Sequence, residues 1–146
     1  VGLKDKDVKR LQKLQNSATR FVHGKRNRRG VTDLRKKSHF LPVRHRIEYK
    51  ICLLVYKSLN NGTPGYITEM LQRRRPKPKN LRVDCDTTRL EEVHSKYNYK
   101  TTERAFSIAA PRIWNRLPEE IRTTETLPMF KKALKTHMFT LAYGNE

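Results

Sequence analysis

The segment 43–59 places apolar side chains on almost every side of a helix. Its apolar residues follow one another at helical steps of four, three, one and four: Ile47, Ile51, Leu54, Val55 and Leu59. Cys52, Leu53 and Tyr56 widen this face nearly to a full circle. A helix that is apolar all round has to be covered by neighbours on several sides. We therefore expect a central buried helix over residues 43–59, capped by Gly62, in an all-α fold.

The stretch Arg104–Pro118 is expected to pack against that helix, because it contains the only Trp of the chain. Trp114 and the aliphatic residues around it should anchor the core. Pro111 lacks the amide donor that a helix interior needs, so the sequence predicts a break there and a fresh short helix with Pro111 in its first turn. Leu117 should lie outside that helix because a proline follows it.

The N-terminal segment, from about residue 4 to residue 23, has the pattern of an amphipathic helix that stops at Gly24. One stripe is apolar: Val8, Leu11, Leu14, Ala18, Phe21 and Val22. The other side is polar and basic: Lys9, Gln12, Lys13, Asn16 and Arg20. We expect the apolar stripe to lie on the core, with the basic side in solvent or on a phosphate backbone.

Capping residues and prolines predict shorter helices around these elements. Thr32 should cap a short helix, and Thr126 a last, longer one. A proline in the first helical turn is expected to open two more helices, at Pro64 and Pro118. The residues expected to point inward from the helices after Pro64 and Thr126 are Tyr66, Ile67, Met70, Leu71, Leu127, Phe130, Leu134, Met138 and Leu141.

Positive charge is concentrated in the first part of the chain. The 146 residues hold 33 Lys and Arg against 14 Asp and Glu, a net charge of +19, and residues 1–82 account for 23 of the basic and 5 of the acidic residues. The segment 73–82, rich in Pro, Arg and Lys, is expected to be an extended linker between a basic half, 1–72, and a nearly neutral half, 83–146. The stretch 81–102 fits a loop or a short hairpin. The two halves are expected to pack as one domain, a small irregular helical bundle with basic loops.

An excess of cations of this size favours a polyanionic partner, nucleic acid first and an anionic membrane second. We expect phosphate contacts from the basic face of the first helix and from two cationic segments, 25–29 and 73–82. Tyr97 and Tyr99 are candidates for stacking on unpaired bases, or else ordinary core and surface residues. The candidate nucleic-acid-binding residues are Lys9, Lys13, Arg20, Lys25, Arg26, Arg28, Arg29, Arg73, Arg74, Arg75, Lys77, Lys79 and Arg82.

The residues that catalysis would need are not clustered in the sequence. Four scattered acidic residues precede Glu69, whereas two-metal polymerisation needs clustered carboxylates. Cys52 and Cys85 form no Cys-x-x-Cys pair, which argues against a zinc site and a disulfide framework. No apolar run approaches the ~20 residues of a membrane span. We therefore expect a non-enzymatic chain without metal, cofactor, small-molecule substrate or membrane span, in a nuclear or cytoplasmic setting.

Four blocks of the sequence carry a resemblance to a known family. The stretch Ala-Phe-Ser-Ile-Ala-Ala-Pro-Arg-Ile-Trp-Asn-Arg-Leu-Pro, residues 105–118, resembles a segment near the C-terminus of reverse transcriptases from non-LTR retrotransposons of the jockey-like type, downstream of the polymerase domain. A Gly-Asp pair that often precedes this block is Thr102-Glu103 here. Three further stretches resemble blocks of that region in the same order: Leu11–Arg20, His39–Ile51 and Phe130–Phe139.

The resemblance implies that the chain is the C-terminal, post-polymerase region of an RNA-directed DNA polymerase, and a start at Val1 fits a fragment of such a protein. Its expected role is to hold template RNA or RNA–DNA during target-primed reverse transcription, with RNA, DNA and the parent polymerase domain as partners. Mg²⁺ is expected only in that polymerase domain. Two alternatives stay open: a helical protein–protein docking module on the polymerase body, and a stand-alone host protein derived from such an element.

Overall fold

A computed structural model describes residues 3–26, 29–62, 64–71, 88–92 and 105–144 of the chain. These ranges contain seven α-helices and no strand. The helices are Asp5–Val22 (α1), Val31–Lys37 (α2), Val43–Asn61 (α3), Gly65–Met70 (α4), Phe106–Asn115 (α5), Glu119–Arg122 (α6) and Leu127–Tyr143 (α7). The prediction of an all-α helical bundle is confirmed for the described residues.

Helix α3 is the centre of the bundle and contacts α1, α4, α5 and α7. Its buried face includes Cys52, Val55 and Tyr56, which confirms the predicted central helix. Leu54 is exposed, so the apolar circle is not closed by neighbours on every side. Gly62 ends the helix with φ of 62°, a left-handed conformation that costs glycine little, and its amide bonds the carbonyl of an earlier helical residue.

Three aromatic rings hold α3, α5 and α7 together. The ring of Tyr56 stacks on that of Phe130 with centroids 4.1 Å apart and planes inclined by 18°. Trp114 packs against the same Phe130 at 5.9 Å between centroids. Trp114 is only 2% exposed, so its predicted role as a core anchor is confirmed. The Tyr56 hydroxyl remains satisfied in this apolar setting because it donates to the carbonyl of Thr124 at 2.8 Å.

Helix α5 runs without interruption through Pro111, so the predicted break at this proline was wrong. The proline removes a single intrahelical bond, the one its amide would have made to the carbonyl of Ser107. Pro111 itself is buried, as are Ile108 and Ile113 on either side of it. Burial of this apolar face offsets the missing bond. Leu117 lies outside the helix, as predicted, and is buried in the core.

The segment 88–92 is fastened to the end of α5 and to α6 by side chains. The indole of Trp114 donates to the carbonyl of Thr88 at 2.9 Å. Arg122 is buried and donates to the Thr88 hydroxyl at 3.0 Å and to the carbonyl of Leu117. The rest of the stretch 81–102, for which a loop or hairpin was considered, lies outside the described residues, as does the predicted linker 73–82.

Several predicted helix starts differ by a residue or two. Helix α2 begins after Gly30, whose φ of 69° turns the chain into the helix, and Thr32 lies inside the first turn. Pro64 and Pro118 precede their helices instead of opening them. Thr126 flanks α7 as predicted, but its side chain makes no cap hydrogen bond. Differences of one or two residues are common at helix ends, which fray.

Most residues predicted to point inward from α4 and α7 do so. Those confirmed as buried are Ile67, Leu71, Phe130, Leu134 and Met138. Tyr66, Met70 and Leu141 are exposed, so the inward prediction was wrong for these three. Each lies within three residues of an end of its helix.

Candidate nucleic-acid-binding surface

Helix α1 does not pack on the core through its apolar stripe, contrary to the sequence prediction. Its apolar stripe faces solvent: Leu14 is 66% exposed, Phe21 89% and Val22 69%. Leu11, one turn before Leu14 on the same stripe, is exposed as well. The expectation that this stripe lies on the core was therefore wrong, and the described part of the chain leaves it uncovered.

The inner face of α1 is polar because it meets the ends of other elements, where backbone groups lack helical partners. The Nε2 of Gln15 donates to the carbonyl of Leu41 at 2.8 Å, and the Oε1 of Gln12 accepts from the first amide of α3, that of Val43, at 2.9 Å. Thr19 is fully buried and donates to the Gln15 carbonyl at 2.8 Å. The two glutamine bonds orient α1 by satisfying backbone groups at the start of α3 and just before it, a requirement that hydrophobic periodicity does not reveal.

Asn16 joins α1 to α2 through a second polar contact. Its Oδ1 accepts from Nη1 of Arg35 at 3.0 Å and from Nε2 of Gln12 at 2.9 Å. Arg35 also donates to the Thr32 hydroxyl at 3.3 Å. Gln12 and Asn16 were predicted to face away from the core, and both are instead part of the interface with α2 and α3.

The predicted basic face of α1 is accessible in part. Lys9 and Lys13 are exposed, while Arg20 is half-buried and donates to the Ser17 hydroxyl at 3.0 Å. Their spacing of four and seven residues places the three on one side of the helix. This side lies roughly opposite the apolar stripe, and α1 presents both a basic and an apolar strip to solvent.

The cationic segment 25–29 follows α1 directly. Lys25 and Arg26 are exposed, and Arg29 is exposed and takes part in an interaction within the protein. The remaining candidates lie outside the described residues: Arg28, Arg73, Arg74, Arg75, Lys77, Lys79 and Arg82. Tyr97 and Tyr99 lie outside them too. The nucleic-acid contacts assigned to all these residues stay a prediction.

A further cluster of cations, which the sequence pattern did not single out, lies between α3 and α7. Arg46 and Lys50 of α3 and Lys135 of α7 line a cavity of about 430 Å³, together with His39, Phe40 and other uncharged residues. No Asp or Glu is among its lining residues. The only sequence signal for this cluster is the i, i+4 spacing of Arg46 and Lys50, which the nearly continuous apolar pattern of α3 obscures.

A second cavity of about 390 Å³ adjoins the first and is mainly apolar. Leu14 and Ala18 of α1 form one wall and Phe40 the other, with Gln15 and Arg46 common to both cavities. We call the two cavities together the α1–α3 groove. It is apolar at the α1 end and cationic at the α7 end.

No cluster of potential metal ligands is found in the described ranges. They contain no group of three or more His, Cys, Asp or Glu residues placed to hold a metal ion. Burial, with a smaller contribution from Glu48, raises the pKa of the Cys52 thiol to about 12, which leaves it uncharged and unreactive at neutral pH. None of the described helices is long and apolar enough to cross a membrane. Cys85 and His94 lie outside the described residues.

Comparison of the chain with protein-family models, with curated proteins and with solved structures finds no match.

Proposed function

We propose that this chain is a non-catalytic nucleic-acid-binding region of an RNA-directed DNA polymerase from a non-LTR retrotransposon, which helps to hold template RNA or RNA–DNA during target-primed reverse transcription. The observation that carries the proposal is a run of accessible cations along α1 and the segment after it. Lys9, Lys13, Lys25 and Arg26 are exposed, and within the described ranges none of them forms an ion pair.

Unpaired cations of this kind bind phosphates through release of condensed counterions, without reading the base sequence. The net charge of +19 supports the same conclusion, because self-repulsion of that size is relieved by a polyanion. The resemblance to the post-polymerase region of such reverse transcriptases supplies the biological setting. In that setting Mg²⁺ and the chemistry of synthesis belong to the polymerase domain, and this chain contributes affinity.

The test compares two variants that remove the same charge from different places. One carries Lys9→Gln, Lys13→Gln, Lys25→Gln and Arg26→Gln; its matched control carries changes to Gln at four exposed cations elsewhere, Lys37, Arg116, Lys131 and Lys132. Affinity for a fluorescein-labelled single-stranded RNA is measured by anisotropy across a salt series. The first variant should reduce the slope of log K against log salt by up to about 3, at about 0.7 for each phosphate that is no longer neutralised.

The control variant should retain most of the affinity and most of the salt slope. Equal losses of affinity in the two variants would mean that the protein attracts RNA through its net charge alone. Salt-independent binding by the unaltered chain would contradict the proposal altogether. An RNA–DNA hybrid and a DNA strand of the same sequence, titrated in parallel, establish which nucleic acid is preferred.

A second candidate function is docking on another protein, such as the body of the polymerase. The exposed apolar stripe of α1 favours it, because uncovered apolar side chains in register along a helix are typical of an interface. Deleting residues 25–29 and 73–82 separates the two candidates. RNA binding should be abolished if these segments grip the nucleic acid, whereas docking through α1 should survive the deletion.

A further inference from the structure

We propose that the α1–α3 groove binds an acidic amphipathic helix of another polypeptide. The inference rests on the docking function and not on nucleic-acid binding. It commits to one partner chemistry: aliphatic side chains at helical spacing, flanked on one side by Asp or Glu.

The apolar end of the groove requires aliphatic anchors. Leu14 and Ala18 face Phe40 across the mainly apolar cavity, and Leu11 continues the same stripe one turn earlier in the helix. Recognition of a helix in a groove uses anchors at i, i+3 or i+4, and i+7, the spacing that α1 itself presents. The α1 side of this cavity is aliphatic and offers no ring on which a base could stack, whereas Phe40 lines the facing side.

The other end of the groove determines the charge of the occupant. Arg46, Lys50 and Lys135 meet there without an acidic residue among the lining residues. None of these three forms an ion pair with a described residue. A partner that brings carboxylates to this end gains electrostatic complementarity, and one that brings cations is repelled.

The wall opposite α1 is held in place before any partner arrives. The amide of Phe40 donates to the carbonyl of Arg35 at 2.9 Å, and the Phe40 carbonyl accepts from the Tyr143 hydroxyl at 2.7 Å. The neighbouring ring of His39 packs against Phe139 at 6.0 Å. Anchoring from both α2 and α7 keeps the groove open, so that a partner need not order it on binding.

Two other occupants fit the groove less well. A second copy of this chain would bring another net charge of +19 against the cationic end. An anionic membrane would meet Phe21 and Val22 at the exposed end of the stripe, but a flat bilayer surface does not fill a concave groove between two helices. An acidic helix fills the groove and pairs with the cations at its α7 end.

The probe is a fluorescein-labelled synthetic peptide of about 18 residues with Leu at i, i+3, i+4 and i+7 and Glu along one flank. Two matched peptides accompany it: one with the same residues shuffled out of helical register, and one with Lys in place of each Glu. Anisotropy titrations use the full chain near physiological salt. The acidic amphipathic peptide should bind at least tenfold more tightly than either matched peptide.

Two variants and their controls test whether the peptide binds in the α1–α3 groove. Leu14→Gln should lower the affinity for the acidic amphipathic peptide about tenfold, because the burial of one leucine on binding is lost. Met129→Gln, at a similarly exposed position, should leave this affinity unchanged. The double variant Lys50→Gln and Lys135→Gln should weaken it about threefold to fivefold. Lys131→Gln with Lys132→Gln, on the same α7 but outside the groove, is its charge-matched control.

Several outcomes would overturn the proposal. They are equal binding of the shuffled peptide, no measurable binding below about 100 µM, equal effects of Leu14→Gln and Met129→Gln, a dimer in sedimentation equilibrium that Leu14→Gln abolishes, and vesicle binding that depends on Leu14 in place of peptide binding. RNA affinity is measured on the same Leu14→Gln protein and should be unchanged. If the unaltered protein binds RNA but not the peptide, the groove proposal is wrong and the nucleic-acid-binding proposal stands. If it binds the peptide but not RNA, the nucleic-acid-binding proposal is wrong and the groove proposal stands.

Discussion

The side-chain amide of Asn115 hydrogen-bonds both backbone polar groups of Leu90. Its Nδ2 donates to the Leu90 carbonyl at 2.9 Å, and its Oδ1 accepts from the Leu90 amide at 2.9 Å. Leu90 is 1% exposed, so these backbone groups have little access to water. The Asn115 side chain makes the pair of backbone hydrogen bonds that a residue of a neighbouring β-strand would make to Leu90. It thereby holds the segment 88–92 at the end of α5.

Replacing the Asn115 side chain should destabilise the folded protein. Asn115→Ala leaves a buried amide and a buried carbonyl of Leu90 without partners, and we expect it to lower the free energy of unfolding by about 2–4 kcal/mol. Asn61→Ala, at an exposed position at the end of α3, should change it by less than about 0.5 kcal/mol. Urea denaturation followed by circular dichroism measures both, and similar values for the two would show that the Leu90 contact contributes little.

The orientation of α1 can be tested by changing one residue on each face. Gln12→Ala removes the acceptor of the Val43 amide, at the start of α3, and should destabilise the protein by about 1 kcal/mol. Leu14→Gln should change stability by less than about 0.5 kcal/mol, because Leu14 is exposed. An apolar stripe buried on the core would give the opposite order, with the leucine change costing about 2 kcal/mol or more.

Cys52 should be protected from thiol reagents in the folded protein. Its pKa of about 12 and its burial leave almost no thiolate at about pH 8. In a Cys85→Ser background, we expect reaction with an aromatic disulfide to proceed only through unfolding, at a rate that rises with urea. Prompt reaction without denaturant, at the rate of a small free thiol, would show that the α3 face is open.

Burial of His137 predicts how stability responds to acid. Desolvation lowers the pKa of this imidazole below its ordinary value of 6.5, so the folded protein binds fewer protons here than the unfolded chain. Its contribution to stability is therefore full above pH 6.5 and declines as pH falls through that value toward the folded pKa. His137→Gln should flatten this part of a melting-temperature profile, and an NMR titration that places the folded pKa above 6.5 would reverse the sign.

Periodicity predicted best where a helix is covered by several neighbours. The stripes of α3 and α7 were correct at their centres, around Val55 and Leu134, because those positions are fully buried and apolar side chains there gain the most. The same signal failed at Leu14 and Phe21 of α1, where the side that meets α2 and α3 needs hydrogen-bond partners. Periodicity states which residues share a face and leaves open which way that face points.

Rules for single residues failed where tertiary contacts outweighed them. Pro111 should have interrupted a helix, but burial on both sides of it stabilises an unbroken α5. Thr32 is a favourable cap, but Gly30 turned the chain earlier. At Pro111 a local penalty of about 3 kcal/mol was outweighed by packing against residues far away in sequence, whereas Gly30 is itself a local signal, two residues before Thr32.

One of the two candidate sites could be predicted from the sequence and the other could not. The cations of α1 and of 25–29 could be found from the sequence, because charge runs are visible in it and Lys9, Lys13, Lys25 and Arg26 are exposed. The α1–α3 groove could not, since its two ends are built by α1, α3 and α7 together with Phe40. Arg46 and Lys135 are far apart in the sequence, so whether they line the same cavity depends on how α3 and α7 pack together.

The sequence by itself determined that this chain is helical, where its central helix lies and that its surface is strongly positive, because composition and helical spacing are local properties of the chain. The tertiary structure alone decided that α1 turns its leucines outward, that Asn115 completes the backbone of Leu90, and that cations from two helices share one groove. The first two features follow from the requirement that every buried backbone group find a partner, and the third from the packing of α3 with α7; each is settled only once the helices have packed.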